Sequence, residues 1–284
     1  MNGGKYSLAF GSTYLEVDPM SGARITALRV GGATGMDLIT NAALNAGTAN
    51  ADNWGSVFWP SPQSSWGWPP TGPGTIEAIN TLAYTAAMDA SSLTLTSGVA
   101  AKPTVSVIKK FSADLAKEAV IIDYTVTNGG TAMVNVAPWE ITRMGAGSIT
   151  FYMPGTGAPK AGGTFALPPT MSAAGATWFQ HTGSATQYKL LADGSGGWLA
   201  SAIGNLLLVK TFPDIPDGAG AAGEAEVEIY SSPLYVEVEQ QGAVQMLAPG
   251  AALHWTVRWY ARKLAAPAAV GSADLVTYVQ NLIK

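Results

Sequence analysis

The chain has 284 residues, 48% of them hydrophobic and only 12% charged, with nine Trp, two His and no Cys. Fifteen Lys and Arg against nineteen Asp and Glu leave a formal charge of −4, which argues against nucleic acid as a partner. The absence of Cys excludes disulfides, thiolate chemistry and Cys-ligated zinc, and two His are too few for a multi-histidine metal centre.

No cofactor or metal is therefore expected, although an oxygen-ligated Ca²⁺ site leaves no recognisable motif. No apolar run reaches the ~18 residues that span a bilayer, so no membrane is expected either. The apolar content is enough to offset the entropy of ordering the chain. The opening Met1-Asn2-Gly3-Gly4 lacks the basic, apolar leader of a signal peptide. The low charge and abundant Ala, Gly, Thr and Trp suit an exported protein, periplasmic or extracellular.

Short, β-branched, alternating runs recur along the whole chain. Strands are predicted at Tyr6–Phe10, Thr13–Val17 and Arg24–Val30, then at Thr75–Ala83, Ser91–Ser97 and Thr104–Phe111. Further runs fall at Glu118–Asn128, Thr131–Ala137, Ile141–Met144, Trp198–Ile203, Leu206–Phe212, Glu224–Tyr230, Leu234–Gln240 and Leu253–Arg262. In Glu224–Tyr230 the three Glu share one face and Ala225, Val227 and Ile229 the other, as a period of two requires. Such alternation favours antiparallel sheets. One helix is predicted at the C-terminus. Ser272 suits its cap and Asp274 its first turn, and Leu275, Val276, Val279, Leu282 and Ile283 form one stripe. No linker divides the chain, which reads as one mostly-β domain over 1–284, with 272–284 as its helix. So many strands suggest two stacked sheets or a closed architecture.

Four segments carry candidate chemistry. Asn53–Pro70 holds four Trp and four Pro and reads as a stiff loop rather than a strand. Trp59, Trp66 and Trp68 either plug one end of the fold or offer flat faces to a sugar, with Gln63 bonding its hydroxyls. On the run Ala137–Arg143, Trp139 and Arg143 share a face and Glu140 takes the other. They form either a stacking and donor pair or an edge arginine whose stem covers apolar surface. Glu237 and Glu239 share a face with Tyr235, either as a wet outer surface or as crowded carboxylates suited to acid–base work. His181 is either a satisfied structural group or a proton donor, and His254 reads as structural.

In order and spacing these segments resemble the galactose mutarotase-like (aldose 1-epimerase-like) superfamily over nearly the whole chain. The resemblance rests on Val17–Gly32 as a first hairpin, Val57-Phe-Trp-Pro-Ser-Pro-Gln63 as a Pro-rich loop and Ile122–Thr131 as a central strand ending in Thr-Asn. It continues through Tyr235-Val-Glu-Val-Glu239, the Leu247-Ala-Pro-Gly250 turn and Trp255–Tyr260. It implies a β-supersandwich that binds a sugar or oligosaccharide, with Glu237 or Glu239 as the general base. The superfamily's His-x-Tyr-Phe proton donor is absent: Pro138-Trp-Glu-Ile-Thr142 stands there, leaving Glu140 or His181 as substitutes. Three functions follow as expectations. One is an epimerase acting on the anomeric centre. Another is a non-catalytic polysaccharide-binding or accessory module, or a glycan-cleaving enzyme on the same fold. The last is a protein that keeps the sandwich without the site.

Overall fold

The computed structural model describes residues 4–47 and 51–284; the opening Met1–Gly3, read above for a leader, lies outside them. Among the described residues, two large sheets carry the fold, one of eleven strands and one of ten. The path of the first sheet runs Tyr6–Phe10, Thr13–Asp18, Arg24–Val30, Ser56–Ser61, Val134–Gly145, Tyr235–Gln241, Val227–Ser231, Tyr188–Ala192, Lys160–Ala161. The centre of the second is built from Ile149–Pro154, Gly194–Ile203, Leu206–Thr211, Ala252–Lys263, Ala119–Asn128 and Val105–Asp114. Neighbouring strands pair antiparallel, as the alternation predicts.

Each strand turns one set of side chains into the space between the sheets. Leu15, Leu28, Phe58, Val236 and Val238 of the first sheet form one cluster there with Val107, Ile122, Val257 and Trp259 of the second. The C-terminal helix Ala273–Ile283 starts where predicted, the Ser272 hydroxyl accepting from Leu275 N. Its Leu275, Val276 and Val279 join a second cluster with Phe151, Trp178 and Val209.

The structure departs from the sequence reading at several places. Asn53–Pro70 is not all loop, because Ser56–Ser61 is an interior strand. Pro60 lies directly opposite Pro138, so both residues without an N–H share one rung of the ladder. For the same reason Pro138 does not divide Thr131–Ala137 from Ile141–Met144, and Val134–Gly145 is continuous. Thr75–Ala83 is not a strand. Ile76 and Ile79, three apart and fully buried, are the cap and a core-facing residue of a one-turn helix at Glu77–Asn80. Of the three Glu in Glu224–Tyr230, only Glu228 lies within the strand Val227–Ser231. Glu226 turns back to accept from Ile215 N and Gly194 N. Strands at Ile149–Pro154, Ala176–Gln180 and Tyr188–Ala192 have no counterpart in the reading.

A polar knot ties the two sheets together. Glu140 is fully buried between them, 3.0 Å from Lys210 Nζ. The Glu140 carboxylate also accepts from Trp259 Nε1 at 2.8 Å, from Tyr124 OH at 2.5 Å and from Gln240 Nε2 at 2.5 Å. Lys210 donates in turn to Gln240 Oε1 at 2.7 Å and to Val238 O at 3.1 Å. Burial pulls the Lys210 ammonium below its ordinary value while Glu140 opposes the change. Removing one partner from a buried pair strands the other. Lys210→Met is expected to lose about 3–5 kcal/mol of stability, read from its urea midpoint. Adding Glu140→Gln should recover part of that loss, whereas an unchanged midpoint in Lys210→Met would contradict the pairing.

Candidate functional site

The face of the first sheet turned away from the second carries the site. Period two sends Phe58, Glu140 and Val238 inward and Trp59, Trp139, Glu237 and Glu239 outward. Register aligns the outward set across strands: Trp139 opposes Trp59, Arg143 opposes Glu237, Glu239 opposes Glu228 and Tyr230 opposes Glu237. Cross-strand neighbours on one face lie about 4.5–5.5 Å apart at Cβ, so these side chains meet.

An aromatic block forms one end. The Trp59 ring stands edge-on to Trp66 at 5.4 Å, Trp139 at 5.4 Å and Trp68 at 6.0 Å between centroids. Trp59 Nε1 donates to Asn80 Oδ1 and Trp66 Nε1 to Pro60 O. Trp59, Trp66 and Trp139 are buried with Val57, Ile76 and Ile141, whereas Trp68 is 51% exposed.

A charged array continues from this block. Arg143 Nε donates to Glu237 Oε1 at 2.7 Å. Lys189 Nζ lies 2.6 Å from Glu228 Oε2 and 2.8 Å from Glu239 Oε1. Trp139 Nε1 donates to Glu239 Oε2 at 2.9 Å. Gln241 Nε2 and Ala225 N both donate to Glu228 Oε1. Burial alone would lower the Lys189 ammonium, but Glu228 and Glu239 outweigh it and hold it above its usual range. Burial pushes the Glu237 carboxyl up, opposed by Arg143. Burial also raises Glu228, opposed by Lys189 and reinforced by Glu239 and Glu224. Tyr230 is pushed up to about 12 by burial and by Glu237.

Over these residues opens a cavity of about 690 Å³, walled by Trp59, Trp68, Trp139, Lys189, Glu224 and Glu237. Asn53, Gln63, Phe165 and Tyr230 also line it. Among the described residues, no group of three or more His, Cys, Asp or Glu is placed to hold a metal ion, and no helix is long and apolar enough to cross a membrane.

The predicted residues divide clearly. Glu237, Trp59, Gln63, Trp68 and Trp139 come together on the cavity wall. Arg143 is fully buried beneath it, its guanidinium carbon 5.6 Å from the Trp59 ring centre and its Nε on Glu237. Trp66 sits behind Trp59. Glu239 is fully buried and held by Lys189 and Trp139, so of the two late-strand carboxylates it is Glu237 that reaches the cavity.

Glu140 is not brought to the site; it lies on the opposite face of its strand, between the sheets. His181 is also elsewhere, buried with Nε2 2.6 Å from Ser232 O and its backbone N–H donated to Ser148 O. His254 is exposed and pairs with Thr125. Sequence reasoning missed Lys189, Glu224 and Glu228 as site residues. The signal for Glu228 was present in three carboxylates on one strand face with no cation beside them.

The architecture is that of the galactose mutarotase-like proteins. The chain resembles a galactose mutarotase-like protein from Lactobacillus casei (TM-score 0.63, 11% identity, 91% of this chain and 100% of that one). It also resembles a galactose mutarotase related enzyme from Lactobacillus acidophilus (TM-score 0.59, 8% identity, 93% and 100%). A third likeness is the GalM/aldose epimerase homologue from C. elegans (TM-score 0.53, 11% identity, 92% and 99%). The sequence matches no protein-family model and no curated protein.

Lys189→Met removes the cation shared by Glu228 and Glu239. The Glu228 carboxyl, raised by burial, then loses the cation that opposes the rise and stays protonated to still higher pH in the folded state. A carboxyl raised in this way stabilises the fold below the ordinary value of 4.5 and loses that contribution as pH rises through its folded value. The variant should therefore match the parent protein most closely below pH 4.5 and fall behind as pH rises, followed by thermal melting across pH. A deficit independent of pH would contradict this arrangement.

Proposed function

We propose that the cavity binds a saccharide and that Glu237 takes the proton of its anomeric hydroxyl, as in an aldose 1-epimerase-like isomerase. One observation carries this reading. Glu237 is buried, oriented by Arg143 through one oxygen, and lines a cavity that three Trp also line. Sugar C–H faces stack on indole rings such as the exposed Trp68, and Gln63 supplies an amide for hydroxyls. Burial makes Glu237 more basic than an exposed glutamate, which suits proton abstraction near neutral pH.

Ring opening needs a second group to protonate the ring oxygen as the first takes the hydroxyl proton. Neither His181 nor Glu140 reaches the cavity. That placement favours a second reading, saccharide binding without turnover, and the same experiment separates the two. Freshly dissolved α-anomers of glucose and galactose are followed by proton NMR with and without the protein. The isomerase reading expects faster equilibration, cut about 10²-fold or more in Glu237→Gln and kept in Glu140→Gln if that variant is folded. Line broadening without acceleration supports the binding reading. Equal acceleration by Glu237→Gln would overturn the role given to Glu237.

A further inference from the structure

The charge of the cavity is unbalanced. Four carboxylates, Glu224, Glu228, Glu237 and Glu239, share two cations, Lys189 and Arg143. Both cations are already engaged: Lys189 lies between Glu228 and Glu239, and Arg143 is sealed beneath Glu237. The next cation, Arg24, turns to the carbonyls of Asp52 and Trp54 and faces Asp18 and Asp52. Glu237 is 8% exposed, and among the described residues no hydrogen bond reaches its second oxygen. Glu237 lines the cavity. Glu224, on the same wall, takes the backbone N–H of Gln63 at 3.0 Å.

The excess of negative charge continues beyond the cavity. A neighbouring recess of about 430 Å³ shares Leu191, Gly223 and Glu224 with it and is lined by Asp193, Asp217 and Glu226, with Lys160 alone against them. Like charges in a partly desolvated groove repel an anion and attract a cation far more strongly than in bulk water. Trp68, 51% exposed, with Phe165 and Tyr230, adds aromatic surface that also favours a cation, whereas the buried Trp59 and Trp139 rings already face Arg143 and Lys189.

We infer that the groove takes a saccharide bearing free amines, such as a short chain of glucosamine units, in preference to neutral sugars, and rejects phosphorylated and uronic saccharides. The ammonium groups of such a ligand supply the charge that Glu237, Glu224 and the carboxylates of the recess lack, while a sugar face stacks on the exposed Trp68 ring. This inference rests on the saccharide reading given above and adds the chemical class of the ligand.

Calorimetric titration of the whole protein at neutral pH tests it with three probes of equal length: a glucosamine tetrasaccharide, its fully N-acetylated counterpart and a tetragalacturonate. The expected result is binding of the free amine form about tenfold or more tighter than the acetylated form, with no measurable binding of the uronate. Raising the salt concentration should narrow the difference, because screening weakens the charge term and leaves stacking in place. Glu224→Gln and Asp193→Asn, each checked for folding by circular dichroism, should narrow it as well. If the acetylated form binds as tightly as the free amine, or if the uronate binds, the charge preference is overturned while the saccharide reading stands. If none of the three binds, both are overturned.

Discussion

The strict alternation of the strand Val134–Gly145 is the constraint on which the rest of the molecule depends. Its inward residues, Glu140 and Met144 among them, fasten the first sheet to the second through the Lys210 knot and the apolar core. Its outward residues, Trp139 and Arg143, make the groove. A shift of one residue in register would exchange the two sets, burying Trp139 and Arg143 in the core and exposing Glu140. The paired strands on either side hold the register, with Trp59 opposite Trp139 on one flank and Glu237 opposite Arg143 on the other.

Both faces of that strand carry buried charge, organised in opposite ways. Between the sheets the Glu140 carboxylate meets the Lys210 ammonium, and each is completed by neutral donors and acceptors. Such an arrangement is closed and has no vacancy for a ligand. In the groove, carboxylates outnumber cations and one oxygen of Glu237 is left open to the cavity. Buried charge of one sign without a partner costs free energy in the empty protein. Ligand groups of the opposite sign would relieve that cost, which is what the proposed binding role requires.

Much of this was legible in the residues, because alternation is a local signal. The period of two placed Trp139 and Arg143 together, put Glu140 on the other face and grouped Glu237 with Glu239. What it leaves open is which face meets the other sheet and how deep a residue lies, and those decided that Glu237 reaches the cavity while Glu239 is covered by Lys189 and Trp139. The strand Ser56–Ser61 was hidden by its prolines, since the pairing of Pro60 with Pro138 is a long-range fact. Lys189 was missed because Tyr188–Ala192 is a short strand near one edge of the sheet, without the β-branched run that marks the central ones. His181 stood at a strand end as expected, yet its neighbour in space is Ser232, fifty-one residues away, a contact invisible in the sequence.

On the function proposed, the outward face of the first sheet receives a saccharide. Nine Trp indole signals give a direct map of it. Nitrogen-15 correlation spectra during titration with a glucosamine oligosaccharide should shift the indole signals of Trp59, Trp68 and Trp139. Those of Trp178 and Trp198, packed in the second cluster on the other sheet, should stay in place. Shifts confined to Trp178 and Trp198, or no shift at any indole with glucosamine, neutral and uronic saccharides alike, would contradict it.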